Sequence, residues 1–260
     1  MKSYAILDIF VILAVIAVIA VILSIINVAV TCDRRRDNTT VPFIVWTFWF
    51  DHGDLTSDVP EMSENRRESL ALMRAHLEVP IQLITTANLA EYTKWYVHPA
   101  VQYLSGVHKA DYFRIYFLLH YGGGYSDIKR WRSSWKSAFD PFDDPDTWVV
   151  GVPEIPGGVA SPPDKDHSNS HGVLISNCFF IARKGNEYFR KVHARQNAIL
   201  DKHWESLKTN PAPNAVCQYD CPDYPLRWEE LLGEIMSDYG VVFQQHFSRT
   251  LVMPDLSNYR

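Results

Sequence analysis

The chain has 260 residues, 47% of them apolar, and a formal net charge of −5. That acidic balance, with no long basic stripe, argues against nucleic acid as the main partner. The four cysteines have no second close Cys/His pair beside Cys217 and Cys221, which argues against a structural zinc; free thiols are the simpler reading of that pair.

The first predicted element is an apolar run from Ile9 to Val30. A bilayer core asks for about 20 apolar residues as helix, whereas a signal peptide's apolar region runs to about 7–15. Asn27-Val28-Ala29 is also a poor cleavage site, so the run reads as a single-pass membrane anchor in contact with lipid. The expected division is 1–30 as the anchor segment, 31–41 as a polar stalk and 42–260 as the catalytic domain. Arg34, Arg35 and Arg36 after the span favour a cytoplasmic domain, while the sequon Asn38-Thr39-Thr40 would place it in the lumen if used. The side of the membrane stays open. The remaining stretch of roughly 220 residues suits one α/β domain.

Residues 41–50 then read as a buried strand, 63–77 as a helix with Leu70, Met73 and Leu77 on one face, 81–85 as a second strand and 89–95 as a short helix. This alternation predicts a sheet with parallel strands and crossovers. A helix over 108–121 is stopped by Gly122-Gly123-Gly124, and a strand end emerges at 125–128. Strands are expected at 148–152 and 173–182, separated by a long loop over 157–172 in which His167 and His171 are solvated. A helix over 186–204, a loop over 211–225, a helix over 227–239 and a last short strand at 241–243 complete the chain.

The chemistry is concentrated between His108 and Lys129. Asp111 and Arg114 are three apart on a helix and share a face, in a segment otherwise almost wholly apolar. A buried charge must be paired or serve a ligand. The glycines allow a sharp turn and deliver Asp127 to a strand end, where α/β sheets place their ligands. A carboxylate there can hold a divalent cation against phosphate oxygens, and a second carboxylate with an arginine can fix sugar hydroxyls.

Ala110-Asp111-Tyr112-Phe113-Arg114 through Tyr121-Gly122-Gly123-Gly124-Tyr125-Ser126-Asp127 resembles the signature of DXD-type glycosyltransferases, among them the capsular-polysaccharide-synthesis and initiating-mannosyltransferase groups. Val45-Trp46-Thr47-Phe48-Trp49 resembles their first strand, and residues 85–92 their second strand and helix. The resemblance spans roughly 42–142 and implies a GT-A fold: a Rossmann-like mixed sheet flanked by helices, acting on a nucleotide-sugar donor and a glycan or glycoconjugate acceptor, with retention of configuration. It implies Asp111, Arg114 and Asp127 as catalytic residues, and Trp46, Thr47, Tyr125 and Lys129 as further donor contacts. The divalent metal, Mn or Mg, would be held by Asp127, with His246 as the late-chain ligand. Glu154 and Asn177 are candidates for the acceptor side. The sequence leaves the pattern at Lys129, which stands where the second Asp of the motif belongs and puts metal dependence in doubt. Two other readings compete: an inactive membrane-tethered module binding a glycan or partner, and a nucleotide-sugar hydrolase.

Overall fold

The structure, a computed structural model, describes residues 41–56, 58–218 and 220–256. Among the described residues no helix is long and apolar enough to cross a membrane, and the run from Ile9 to Val30 lies outside them.

A six-stranded mixed sheet organises the chain. In chain order the elements are β1 (Val45–Phe48), α1 (Glu64–His76), β2 (Ile81–Ile84), α2 (Leu89–Tyr92), α3 (Gly106–His120), β3 (Gly123–Ser126), β4 (Val149–Pro153), β5 (Ile175–Ala182), α4 (Glu187–Lys202), α5 (Trp204–Thr209), α6 (Gly233–Phe243) and β6 (Phe247–Ser248). The strands lie in the order β2-β1-β3-β5-β4-β6. β2, β1 and β3 run parallel, whereas β5 is antiparallel to both β3 and β4. This mixed sheet flanked by helices fits the expected GT-A arrangement.

α3 is the central helix. Ser105 caps it by accepting the His108 N–H, and eleven of its fifteen residues are buried. A helix buried on most sides has no polar stripe, which is why residues 112–119 are apolar apart from Arg114. Tyr112, Phe113, Tyr116 and Phe117 lie wholly inside, and each such side chain contributes on the order of 1.5–3 kcal/mol through burial. The first turn of α3 sits directly on the exit of β1. A Cβ at Gly106 would collide with the Phe50 carbonyl oxygen, so only glycine permits that approach. The turn into β3 needs glycine for another reason: Gly122 and Gly123 have φ of +74° and +91°.

Several elements differ from the sequence-based expectation. The last helix begins at Gly233 rather than near Arg227. Arg227 instead folds back on itself, its N–H donating to Glu230 Oε2 and its guanidinium forming a two-pronged pair with Glu234. Val241, Val242 and Phe243 are the last turn of α6, not a strand; an apolar run that short carries no period of its own. Cys217 and Cys221 are joined in a disulfide rather than free, with Cα atoms 5.4 Å apart, inside the range that a bridge requires. In the loop over 157–172, His167 is not solvated: its Nε2 lies 3.4 Å from Asp238 Oδ1, beside a Lys165–Asp238 pair at 2.6 Å.

Candidate functional site

The residues expected to carry the chemistry meet where β3 ends against α3. Arg114 is the pivot. Its Nη2 lies 2.9 Å from Asp111 Oδ1 and 3.4 Å from Asp127 Oδ1, and its Nη1 donates to the Asn177 carbonyl. The guanidinium also stands over the Tyr125 ring, 4.4 Å from its centroid, an attraction that strengthens when the cation is desolvated. The Tyr125 hydroxyl donates to Asp127 Oδ1 at 2.5 Å, and Lys129 Nζ lies 3.6 Å from Asp127 Oδ2. Arg66, reaching over from α1, donates to the Ile128 carbonyl at 2.8 Å. The cluster lies below the surface: the Asp127 side chain is 22% exposed, Asp111 10%, Arg114 6% and Lys129 3%. Asp127 is therefore the member most open to a ligand.

Burial and charge pull the two carboxylates apart. Burial lifts Asp111 to about 6 against the opposing Arg114, with the Asp127 charge adding to the rise. Burial acts on Asp127 in the same sense, but Arg114, Lys129, the Tyr125 hydroxyl and Arg66 together outweigh it and hold Asp127 below the ordinary carboxylate value. Lys129 is lowered by burial, with Asp127 resisting. Cys178, beside this cluster, is pushed up to about 12 by burial, which disfavours its thiolate.

Two expected donor contacts are placed elsewhere. Trp46 is a core residue, its indole donating to the Gly122 carbonyl at 2.8 Å and its ring packed on Tyr92, Phe117 and Tyr121. Gly122 precedes β3, so that side chain points to the end of the sheet opposite Asp127. Trp49, at the exit of β1, lies at the same end of the sheet as Asp127; it donates to the Pro60 carbonyl. Thr47 is wholly buried on the other face of the strand, its Oγ1 without a hydrogen-bond partner in the structure. Tyr125 is also buried, and it holds Arg114 and Asp127 rather than facing outward.

His246 does not join Asp127. It stacks on Trp148 at 3.7 Å and its Nδ1 meets the Asp146 carbonyl. Sheet register explains the separation. Gly123 pairs with Ala182, Ala182 with Val149, and Val149 with Phe247, all in the row where β3 begins, while Asp127 lies past its far end. At about 3.3 Å per residue the two expected ligands are more than about 10 Å apart. Among the described residues, no group of three or more His, Cys, Asp and Glu side chains gathers to hold a metal. The donor set does not fit a divalent cation: Arg114 and Lys129 flank the oxygens of Asp127 with positive charge.

Glu154 and Asn177 do come together. Both line a small cavity with Gly158, Gly233 and Ser237, and the backbone of Asn177 is tied to Arg114. Burial raises Glu154 against the Ile155 N–H that bonds it. Beyond α6, a groove of about 350 Å³ runs between Arg195 and Lys202 of α4 and Glu234 and Asp238 of α6.

One residue of structural consequence carried no role in the sequence reading. Lys109 is fully buried, and its ammonium donates to the carbonyls of Asp51 and Gly53. Burial lowers it to about 8, with Asp51 and Asp54 opposing. A lysine inside an apolar helix is the signal that it must find a partner, but its partners are carbonyls, which leave no trace in side-chain patterns.

Residues 35–129 match the family model of the glycosyltransferase sugar-binding region containing DXD motif. The match bears out the resemblance to DXD-type glycosyltransferases and ends at Lys129, the residue that departs from the motif. No curated protein matches the chain. Among solved structures, PaToxG Glycosyltransferase aligns at a TM-score of 0.38 and 10% identity, covering 66% of this chain and 65% of that one. This alignment spans less than two thirds of PaToxG's length.

Proposed function

We propose that the protein transfers a sugar from a nucleotide-sugar donor to a glycan or glycoconjugate acceptor, with retention at the anomeric carbon. The observation that carries this reading is the buried Asp111–Arg114–Asp127 cluster at the C-terminal end of β3, inside the stretch that matches a sugar-binding region. Open α/β sheets bind ligands at that end of their strands. In the reaction the bond between the anomeric carbon and the phosphate oxygen breaks, the acceptor hydroxyl oxygen forms the new bond, and its proton leaves with the nucleoside diphosphate. Asp127 faces the donor, Asp111 and Arg114 fix the orientation of sugar and carboxylate, and Tyr125 positions both from below. Glu154 and Asn177, across the Arg114–Asn177 contact, serve the acceptor.

The run from Ile9 to Val30 is proposed as a membrane anchor. The Cys217–Cys221 disulfide supports a domain on the oxidising side of that membrane, because such bridges persist in oxidising compartments.

Incubation of the full chain with a panel of nucleotide sugars, following released nucleotide with and without acceptor, tests the transfer. Release that depends on acceptor is expected, falling by about 10²–10³-fold in Asp127→Asn. Release at the same rate without acceptor would instead identify a hydrolase, and turnover by Asp127→Asn at the wild-type rate would remove the site.

A further inference from the structure

We infer that the nucleoside diphosphate is held by the protein's own cations, Arg114 and Lys129 with Arg66 behind them, and that the donor site works without a divalent metal. This rests on the transferase reading above but concerns the donor's phosphates alone.

The side chains around Asp127 set what the site attracts. Three cations, Arg66, Arg114 and Lys129, surround two carboxylates, Asp111 and Asp127. An Asp at position 129 would put a carboxylate beside Asp127 in place of the ammonium and make the site more negative. Relative to that arrangement, the ammonium disfavours a dication and favours a diphosphate.

Geometry points the same way. Each oxygen of Asp127 has a cation near it, Arg114 at 3.4 Å and Lys129 at 3.6 Å, and Oδ1 also receives the Tyr125 hydroxyl. A metal bound there would have to sit among those cations. Lys129 cannot swing into solvent as a surface lysine does, because its side chain is 3% exposed and packed against Asp127. The strand itself ends at Ser126, yet Asp127 and Lys129 still turn to the same side and meet. Low exposure also keeps water from screening these charges, so they act on an anion seated over Asp127. Lysine is suited to this as a point charge against phosphate, and arginine as a fork. When the bond to the anomeric carbon breaks, the departing diphosphate gains negative charge, and fixed cations stabilise it without rearranging.

The test is nucleotide binding, separate from turnover. The full chain in detergent is titrated with UDP and with GDP, first in EDTA and then with manganese, alongside a titration with manganese alone. Wild type is expected to bind one of the two nucleotides equally well in EDTA, and to bind no manganese stoichiometrically. Lys129→Met, which keeps the buried stem, is expected to weaken metal-free binding by at least about tenfold, roughly 1.4 kcal/mol, in a domain that still melts cooperatively. Lys129→Asp is expected to bind nucleotide only when manganese is present. Should Lys129→Met fail to fold, Lys129→Arg preserves the charge and is expected to keep metal-free binding. Binding by wild type that requires manganese, metal-free binding that survives in folded Lys129→Met, or binding of neither nucleotide under either condition overturns the inference. Metal-free binding without transfer to any acceptor leaves it standing and removes the transferase reading; transfer that needs manganese does the reverse.

Discussion

The strands β2-β1-β3 and the strands β5-β4-β6 differ in what they do with charge. Around the first set, charged groups are drawn inward: Lys109, Asp111, Arg114 and Lys129 all lie in the interior and each meets a partner there. Around the second set Arg183 is buried against the carbonyls of Phe142, Asp144 and Thr147, but the ion pairs keep their cations near the surface. Lys165–Asp238 and Arg227–Glu234 tie a loop and a turn to α6, with the cations about half exposed. Buried charges are costly unless completely paired, and their loss is severe, whereas surface pairs contribute about 0–1 kcal/mol. Charges kept inside one corner must be paired there or serve a ligand, whereas the surface pairs only fasten elements together.

Breaking the buried pivot should give the largest effect. Arg114→Ala is expected to abolish transfer, by about 10³-fold or more, and to destabilise the domain by about 3–5 kcal/mol, because Asp111 and Asp127 lose their shared cation. Denaturant unfolding and kcat/KM measure the two. Wild-type stability in that variant would show that the carboxylates re-pair locally.

On the other side of the comparison, Glu154→Gln should raise the acceptor KM by about tenfold while leaving donor hydrolysis unchanged. An equal loss with and without acceptor would move Glu154 out of an acceptor role.

A subtler effect separates the two carboxylates. Asp111 binds its proton more tightly in the folded chain than in the unfolded one, so its contribution to stability is present below its ordinary value of 3.8 and is lost as pH rises through about 6. Asp127 has the opposite sign: its contribution is present above the ordinary value and lost as pH falls through its depressed one. Asp111→Asn should therefore flatten the decline in melting temperature between pH 4 and pH 6. A decline of unchanged slope would assign it to another group.

The smallest change belongs to the surface. Asp238→Asn, which loosens Lys165 and His167, should cost less than about 1 kcal/mol and leave nucleotide binding as it was. A larger loss, or weakened nucleotide binding, would mean that the loop over 157–172 reports to the buried corner.

The same contrast explains what could be read in advance. α3, its Asp111–Arg114 spacing and the glycine stop are local patterns, and they led to the corner that the structure shows. The contact of Arg114 with the Asn177 carbonyl joins residues 63 apart and depends on β5 lying beside β3; no local pattern encodes it. Trp46 was expected at the donor from the resemblance of Val45–Trp49 to a first strand, and the neighbouring Tyr92, Phe117 and Tyr121 place it in the core. His246 was separated from Asp127 by register, which a single strand does not reveal. In the C-terminal part the helix start moved because Arg227 pairs with Glu234 instead of continuing a turn.

The clamp made by Lys109 has a consequence for how the molecule opens. Its ammonium binds the carbonyls of Asp51 and Gly53, 58 residues away from Asp51 in the chain, while Gly106 leaves no space against Phe50. Lifting the loop after β1 would strip a buried ammonium of its acceptors, and unwinding the first turn of α3 would do the same from the other side. The two segments therefore form one cooperative unit, and their backbone amides should exchange with solvent at a common rate set by a shared opening, rather than the loop exchanging early and the helix late.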